Sequence, residues 1–398
     1  MSCFQFIDSK LDCRGLYVAG NFAEFDKNMV LTSTWDYSSH CDLANEEIEY
    51  ASLYCAGQGL HEACPSHLEE RWRSASNKMK AYLNCFQNAK ISLEEYCFYD
   101  MVPEHFLIEF FEVKNKITQH VIKNYPKPEN YEFLLELTKL LYGIRERNLS
   151  LNFNNIDPVF LLRDSNKNII KKMKASSGKI FYNLYGTRTG RLTTRPGSFP
   201  ILTLKKDLRR AIEPKNDLFI ELDYNAAELR TLLALLGKEQ PKEDIHEWNA
   251  KNVFGGSTTR KNAKERIFAW LYNLDSKDYL ANRTYNKNLI KEKYWNGKIV
   301  KTPFGRKIEA DEFHALNYVI QSTTSDLFLR RAIAVDKLLK KAKSKITFLI
   351  HDSLIIDFAN EDKDTLKQII EEFSKTDLGD YKVNVSVGKN FGELKQIL

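Results

Sequence analysis

The chain has 398 residues, of which 43% are hydrophobic, and its formal net charge at pH 7 is +6. This length and composition can supply a substantial core and two or three subdomains. The sequence has no secretory hydrophobic segment and no apolar run of membrane length, which argues against secreted and membrane-spanning classes. We therefore expect a cytoplasmic protein with no membrane partner.

All seven cysteines lie in the first quarter of the chain. Their odd number argues against a disulfide framework and favours reduced thiols. His61, Cys64 and His67, with Cys41 and Cys55, invite a zinc interpretation. Because no CxxC pair supports it, ordinary buried or surface thiols are the preferred interpretation.

Residues 1–65 carry no motif that predicts a role. From residue 68 to 149 the apolar spacing is mainly helical, as in residues 131–141, with a break at 125–128. Residues 163–215 then hold fourteen Lys and Arg against three Asp and Glu. Gly, Ser and Thr interleave with these cations and remove helical regularity. We interpret the tract as a surface that follows a phosphate backbone rather than as a solvated face.

An apolar run over residues 217–224 predicts a strand that passes directly into a helix over residues 226–236, with Gly237 as its stop. Asp223 lies where this strand ends. A second isolated aspartate, Asp352, lies in a polar tripeptide between two β-rich runs, which predicts a hairpin with a carboxylate at its tip.

Between the two aspartates, Arg260, Lys264, Phe268 and Tyr272 recur every four residues and therefore share one helical face. Two cations, a phenyl ring and a phenol suit a nucleoside triphosphate. Two carboxylates brought together at strand ends would repel each other unless cations bridged them, as a Mg²⁺ pair does in phosphoryl transfer. A core helix and two turn residues are the structural alternative.

These residues resemble the motifs of family A DNA polymerases, the group of bacterial DNA polymerase I and many phage replicases. Motif A is matched by Asp223-Tyr224-Asn225-Ala226-Ala227-Glu228-Leu229-Arg230, motif B by residues 260–272, and motif C by His351-Asp352-Ser353. Four further segments match in the same order, and the seven cover roughly residues 180–398. They are Thr189-Gly190-Arg191-Leu192-Thr193-Thr194, Thr302-Pro303-Phe304-Gly305-Arg306, Asn317 with Gln321, and residues 383–391.

The resemblance implies an α+β right-hand polymerase fold with an antiparallel-sheet palm, helical fingers and a helical thumb. The expected divisions are an N-terminal segment (1–65), thumb (66–180), first palm part (181–245), fingers (246–309) and second palm part (310–398).

It also implies the residue roles. Asp223, Asp352 and the backbone carbonyl of Tyr224 would hold two Mg²⁺ ions, for which Mn²⁺ could substitute. Lys264 would act in catalysis with the two aspartates. The nucleotide would contact Arg260, Lys264, Phe268, Tyr272 and Glu228, of which Glu228 with Tyr272 would exclude a 2′-hydroxyl. DNA would contact Arg191, Asn317, Gln321, His351 and Arg306, and for Arg306 support of the site is an equal alternative.

Several positions depart from the family pattern. Ser353 replaces the usual glutamate of motif C, Phe313 stands where an arginine is expected, and the fingers are short. A single-subunit RNA polymerase shares the two-aspartate palm, and an inactive nucleic-acid-binding relative is a third alternative. Intact Asp223, Asp352 and Lys264 favour an active DNA polymerase.

The expected partners are primed DNA template and dNTPs. About 65 residues before the thumb leave no room for a 3′–5′ exonuclease, so we expect a short phage-type member that lacks one. A separate exonuclease or a processivity factor is then a candidate partner, and the location would be the host cytoplasm if a phage encodes the chain.

Overall fold

A computed structural model of the chain describes residues 61–91, 101–126, 129–273 and 276–398, together with the backbone of five short strands before residue 48. The thiols of Cys3, Cys13, Cys41, Cys55 and Cys97 lie outside the described residues. Two of the five residues of the zinc interpretation, Cys41 and Cys55, therefore lie outside the described side chains. Among the described side chains, no group of three His, Cys, Asp or Glu residues could hold a metal ion.

The helices of the described residues are α1 (Glu69–Asn88), α2 (Glu104–Asn124), α3 (Tyr131–Glu146), α4 (Pro158–Leu162), α5 (Asp164–Ala175), α6 (Lys206–Arg209), α7 (Ala227–Leu235), α8 (Ile245–Trp248), α9 (Arg260–Tyr272), α10 (Tyr279–Tyr285), α11 (Lys287–Tyr294), α12 (Glu312–Leu338) and α13 (Leu366–Ser374). None of these helices is long and apolar enough to cross a membrane.

The strands are β1 (Cys3–Ile7), β2 (Cys13–Val18), β3 (Asn21–Ala23), β4 (His40–Cys41), β5 (Glu46–Glu47), β6 (Ser150–Leu151), β7 (Tyr182–Asn183), β8 (Thr193–Thr194), β9 (Ile212–Glu213), β10 (Leu218–Tyr224), β11 (Ile299–Lys301), β12 (Lys307–Glu309), β13 (Lys345–Ile350), β14 (Ser353–Phe358), β15 (Lys375–Thr376), β16 (Gly379–Asp380), β17 (Val383–Gly388) and β18 (Lys395–Gln396).

The chain divides into two compact units, residues 1–135 and residues 136–398. In the N-terminal unit, α1 and α2 pack together because each buries an apolar stripe at helical spacing. Trp72 and Met79 of α1 are buried, and the Trp72 ring lies 5.4 Å from the ring of Phe110 in α2. The mainly helical character predicted for this stretch is confirmed, whereas the predicted thumb, palm and finger boundaries stay predictions.

The C-terminal unit is built on an antiparallel sheet with the strand order β13, β14, β10, β17, β18. β10 lies at its centre because Phe219, Ile220 and Leu222 are all buried, so both faces of the strand are covered. The predicted strand and the predicted hairpin are both present, as β10 and as β13 with β14. The α+β fold class is thereby confirmed.

Helices cover this sheet and carry the rest of the unit. α7 follows β10 through Ala226, which adopts a left-handed conformation at φ 53°. α12 packs against both α7 and α13, and most of its middle is buried. α9 buries Ala263, Ile267, Trp270 and Leu271 and leaves the opposite face free. This arrangement exposes the face of α9 that the four-residue spacing singled out.

The predicted helical stretch from 246 to 309 is wrong in its last part. α11 ends at Tyr294, and β11 and β12 form an antiparallel hairpin. Val300 and Ile308 are paired across this hairpin and buried, whereas the neighbouring Lys301 and Lys307 are exposed. This alternation has a period of two, which is the strand period.

Arg230 in α7 fixes the loop that leads from α7 to α8. Its side chain is fully buried and donates hydrogen bonds to the carbonyl oxygens of Asn225 (2.8 Å), Pro241 (2.8 Å) and Glu243 (3.0 Å). Burial lowers the pKa of the Arg230 guanidinium to about 10, so it remains charged at neutral pH. These bonds give Arg230 a supporting role in this loop.

Replacing Arg230 with Met is expected to lower the free energy of unfolding by about 3 kcal/mol, because two buried carbonyl groups and one partly buried carbonyl group lose their donor. Urea denaturation measures this change. Arg283→Met, at an exposed position of α10, is the matched control and should change the free energy by less than about 0.5 kcal/mol. Equal losses in the two variants would contradict the supporting role of Arg230.

Candidate active site

Asp223 and Asp352 lie at one end of two neighbouring strands. Asp223 is paired in register with Ser353, the first residue of β14, and Asp352 precedes Ser353 in the turn. The Ser353 hydroxyl donates a hydrogen bond to Oδ1 of Asp223 at 2.7 Å. Burial raises the pKa of Asp223, and it raises the pKa of Asp352 to about 6. The Asp223 carboxylate contributes to the raised pKa of Asp352, so the two groups lie near each other at this sheet end. Burial makes the ionised form of both groups unfavourable.

Glu221 adds a third carboxylate that the sequence analysis missed. It lies two residues before Asp223 on β10, so both side chains point to the same face of the sheet. Burial and the neighbouring Asp223 raise the pKa of Glu221, while a hydrogen bond from Ser386 of β17 opposes that rise. The available signal was an ionisable residue inside an otherwise apolar strand, at the strand period from Asp223.

The exposed face of α9 carries the predicted nucleotide residues. Lys264 is exposed, and the Phe268 and Tyr272 rings are stacked with centroids 6.0 Å apart. Arg260 makes a bidentate ion pair with Asp244, with donor–acceptor distances of 3.0 and 2.7 Å. Asp244 also caps the N-terminus of α8. Asp244 therefore fixes the position of the Arg260 guanidinium at the start of α9.

His246 is a second residue that the sequence analysis missed. Its ring is buried 5.6 Å from the Phe268 ring, and its Nδ1 atom has no hydrogen-bond partner among the described residues. Burial lowers the pKa of His246 to about 4, and the cations Lys264 and Arg260 act in the same direction. The available signal was a polar residue two positions after Asp244, a carboxylate placed as a helix cap.

Glu228 connects α7, α9 and the segment before β8. It is buried and accepts a hydrogen bond from the Tyr272 hydroxyl, and its other oxygen forms an ion pair with Arg191 at 2.5 Å. Burial and the Glu228 carboxylate both raise the pKa of Tyr272, so the phenol stays protonated. The structure thus brings together three residues that the sequence places 81 positions apart at most.

Arg306 supports the segment that contains Arg191. Its guanidinium forms a bidentate ion pair with the buried Asp326, with distances of 3.1 and 2.6 Å. Gly190 lies directly against it, at φ 80°, and a Cβ atom there would come within 2.4 Å of the guanidinium. Only glycine fits this close approach and this backbone conformation. Of the two roles left open for Arg306, the contacts favour support.

The remaining predicted residues are spread around this centre. Asn317 of α12 lines a cleft together with Glu228 and Tyr272, and Gln321 lies one helical turn further on, half-buried. His351 is exposed beside Asp352 and has a left-handed backbone at φ 50°. The Tyr224 side chain points away from the centre, because its hydroxyl donates to the carbonyl of Phe373 at 2.7 Å. Only its backbone carbonyl remains a candidate ligand.

Comparison with known proteins matches a part of the chain that contains some of these residues to one family. The sequence model described as DNA polymerase family A matches residues 276–393, which include the Asp352 hairpin and Asn317. The right-hand polymerase fold expected from the sequence agrees with this family.

Curated relatives cover more of the chain. DNA polymerase I of Lactococcus lactis is 26% identical in an alignment of length 266, and the match covers 52% of this chain and 30% of that protein. DNA polymerase I of Aquifex aeolicus is 23% identical in an alignment of length 279, and the match covers 56% of this chain and 48% of that protein. The chain thus spans less than half the length of either relative.

A solved structure described as the POL domain of Pol1 from M. smegmatis, in complex with DNA primer-template and dNTP, is also similar. It aligns with 84% of this chain and 66% of its own chain at 14% identity, with a TM-score of 0.47.

Asp352→Asn is expected to stabilise the metal-free chain at pH 7.5 by about 1–3 kcal/mol, because it removes a charge that burial disfavours. The folded pKa of about 6 lies above the ordinary value of 3.8. The destabilisation of the folded chain by the ionised Asp352 carboxylate is therefore complete above pH 6, and it disappears as the pH falls towards 4. Urea denaturation in EDTA between pH 5 and 8 should show the gain shrinking below pH 6. A gain that did not change with pH would contradict the assigned pKa.

Proposed function

We propose that the chain is a template-directed DNA polymerase that adds dNTPs to a primer 3′-hydroxyl. The observation that carries this proposal is that Asp352 lies beside Asp223 and Glu228, and that Glu228 is bonded to Tyr272 on the face of α9 that also carries Lys264 and Phe268. The family of residues 276–393 and the curated relatives, which are DNA polymerases I, support it.

The residues present fit a pair of Mg²⁺ ions, with Mn²⁺ as a possible substitute. Asp352 makes no ion pair or hydrogen bond with another described side chain, and its raised pKa shows that a nearby cation would be favourable. Asp223, Asp352 and the Tyr224 carbonyl offer hard oxygen donors, which Mg²⁺ prefers. When bound, such ions activate the primer hydroxyl and neutralise the leaving pyrophosphate.

The cations of α9 bind and orient the triphosphate in this proposal. Lys264 is exposed and forms no ion pair with any described residue, so it is available to the phosphates and to the leaving group. Arg260 would either leave Asp244 to bind a phosphate, or would contact the phosphate while it stays paired with Asp244. His246, neutral at pH 7 because of its lowered pKa, would donate a hydrogen bond to a phosphate oxygen without adding charge. Phe268 packs against the sugar.

Glu228 and Tyr272 select the sugar. Their hydrogen bond would close the space beneath C2′, at a point where the Glu228 side chain is buried. A ribonucleotide would therefore meet both a steric and a desolvation cost. This arrangement favours a DNA polymerase over a single-subunit RNA polymerase.

Primed DNA occupies the surface formed by Arg191, Asn317, Gln321 and His351, with Arg306 holding Arg191 in place. Contacts at the minor-groove edge report the geometry of a base pair with little sequence preference. The lack of a 3′–5′ exonuclease, a phage origin, a separate exonuclease or processivity partner and a cytoplasmic location stay predictions.

Asp223→Asn and Asp352→Asn should each reduce primer extension to background, because each removes a charge needed to hold the metal ions. Extension of a labelled primer with Mg²⁺ and dNTPs measures this, and anisotropy of the same DNA in EDTA should show little change in binding. Asp364→Asn, at an exposed position, is the matched control and should extend normally. Strong residual extension in either aspartate variant would contradict the assignment.

Glu228→Ala should raise the use of rNTPs relative to dNTPs by about 10- to 100-fold, because the 2′-hydroxyl no longer meets the carboxylate. The ratio of kcat/KM for the two nucleotides on one primed DNA template measures this. Glu265→Ala, on the outer face of α9, should leave the ratio unchanged. If the unaltered chain used rNTPs as readily as dNTPs, the RNA polymerase alternative would be favoured.

A further inference from the structure

The first turn of α12 presents a group of aromatic rings that the proposed function does not use. The Phe313 side chain is 64% exposed, and its ring centroid lies 5.1 Å from that of His314. The His314 ring is in turn stacked on Tyr318 at 5.4 Å. We call Phe313, His314 and Tyr318 the α12 aromatic patch.

The patch is continuous with the proposed active site. Phe313 and His314 line the same cleft as Glu228, Tyr272 and Asn317. Phe313, Asn317 and Gln321 are also four residues apart along α12, so they share one helical face. Two of these three residues are the proposed DNA contacts. DNA bound along the face that carries Asn317 and Gln321 would therefore also contact Phe313, which lies at the N-terminal end of this face.

The charges around Phe313 favour a base over a phosphate. Asp311 and Glu312 precede it, and each is paired, with His314 at 2.7 Å and with Lys291 at 2.8 Å. Within these contacts, His314 and Lys291 are each already paired with a carboxylate, so neither is left to bind a phosphate. An exposed ring held edge to face against a second ring is instead a flat apolar surface, which stacks on any base.

We propose that Phe313, supported by His314 and Tyr318, stacks on an unpaired base of the template strand beside the nucleotide position. This inference rests on the proposed function, because that function supplies the template. Stacking on one base would hold the single-stranded template at the entrance of the cleft, independently of sequence.

The test compares binding of two primer-templates in EDTA, where no extension occurs. One has an ordinary 5′ template overhang, and the other has an abasic site at the first unpaired template position. Fluorescence anisotropy gives both dissociation constants. The unaltered chain should bind the ordinary overhang about 5- to 100-fold more tightly. Phe313→Ala should lose this ratio, whereas Phe313→Trp should keep it.

Controls separate this inference from the proposed function. Tyr279→Ala removes another exposed ring, in α10, and should leave the ratio unchanged. A ratio near one in the unaltered chain, or a Phe313→Ala variant that binds both DNAs equally less well, would overturn the stacking while leaving DNA binding intact. Absence of any DNA binding would overturn the proposed function as well. If Phe313→Ala instead turned a dimer into a monomer in light scattering, a second copy would occupy the patch and the proposal would be wrong.

Discussion

The electrostatic cost of holding Asp223 and Asp352 together at a poorly hydrated sheet end is the constraint on which the rest of the site depends. The register of β10 and β14 sets their proximity, and a slip of one residue would turn Asp223 to the opposite face. Burial then disfavours the ionised form of both groups. A nearby cation would offset this cost, and such tension between stability and binding is common at functional sites.

The buried Arg230 and the half-buried Arg306 hold the surrounding parts in position without entering the site. Arg230 fixes the loop before Asp244, and Asp244 in turn holds Arg260 at the start of α9. Arg306, paired with Asp326, supports Gly190 and thereby the Arg191 side chain that reaches Glu228. Bidentate guanidinium pairs restrict both distance and orientation, so a few of them can fix elements that are distant in sequence.

Local patterns predicted much of this site. Asp223, Asp352 and the α9 face could be found because strand ends, hairpins and four-residue spacing are properties of short segments. Glu221 and His246 each left a local signal that was missed, whereas the pairing of Arg260 with Asp244 could not be predicted, because it depends on which loops and helices meet in space. The hairpin of β11 and β12 was missed for a different reason. Its strands have three residues each, too few for alternation to stand out within a mainly helical stretch.

The serine of motif C is consistent with the strand beside it. A glutamate at 353 would face Asp223 directly across the β10 and β14 pair, and Glu221 lies one pleat further along the same face. Four carboxylates would then share this sheet end, and each additional one would raise the pKa of the others. Ser353 instead donates a hydrogen bond to Asp223 and fixes its orientation. Glu221 on β10 adds a carboxylate to this sheet end, at a position where hydrogen bonding to Ser386 can offset part of its cost.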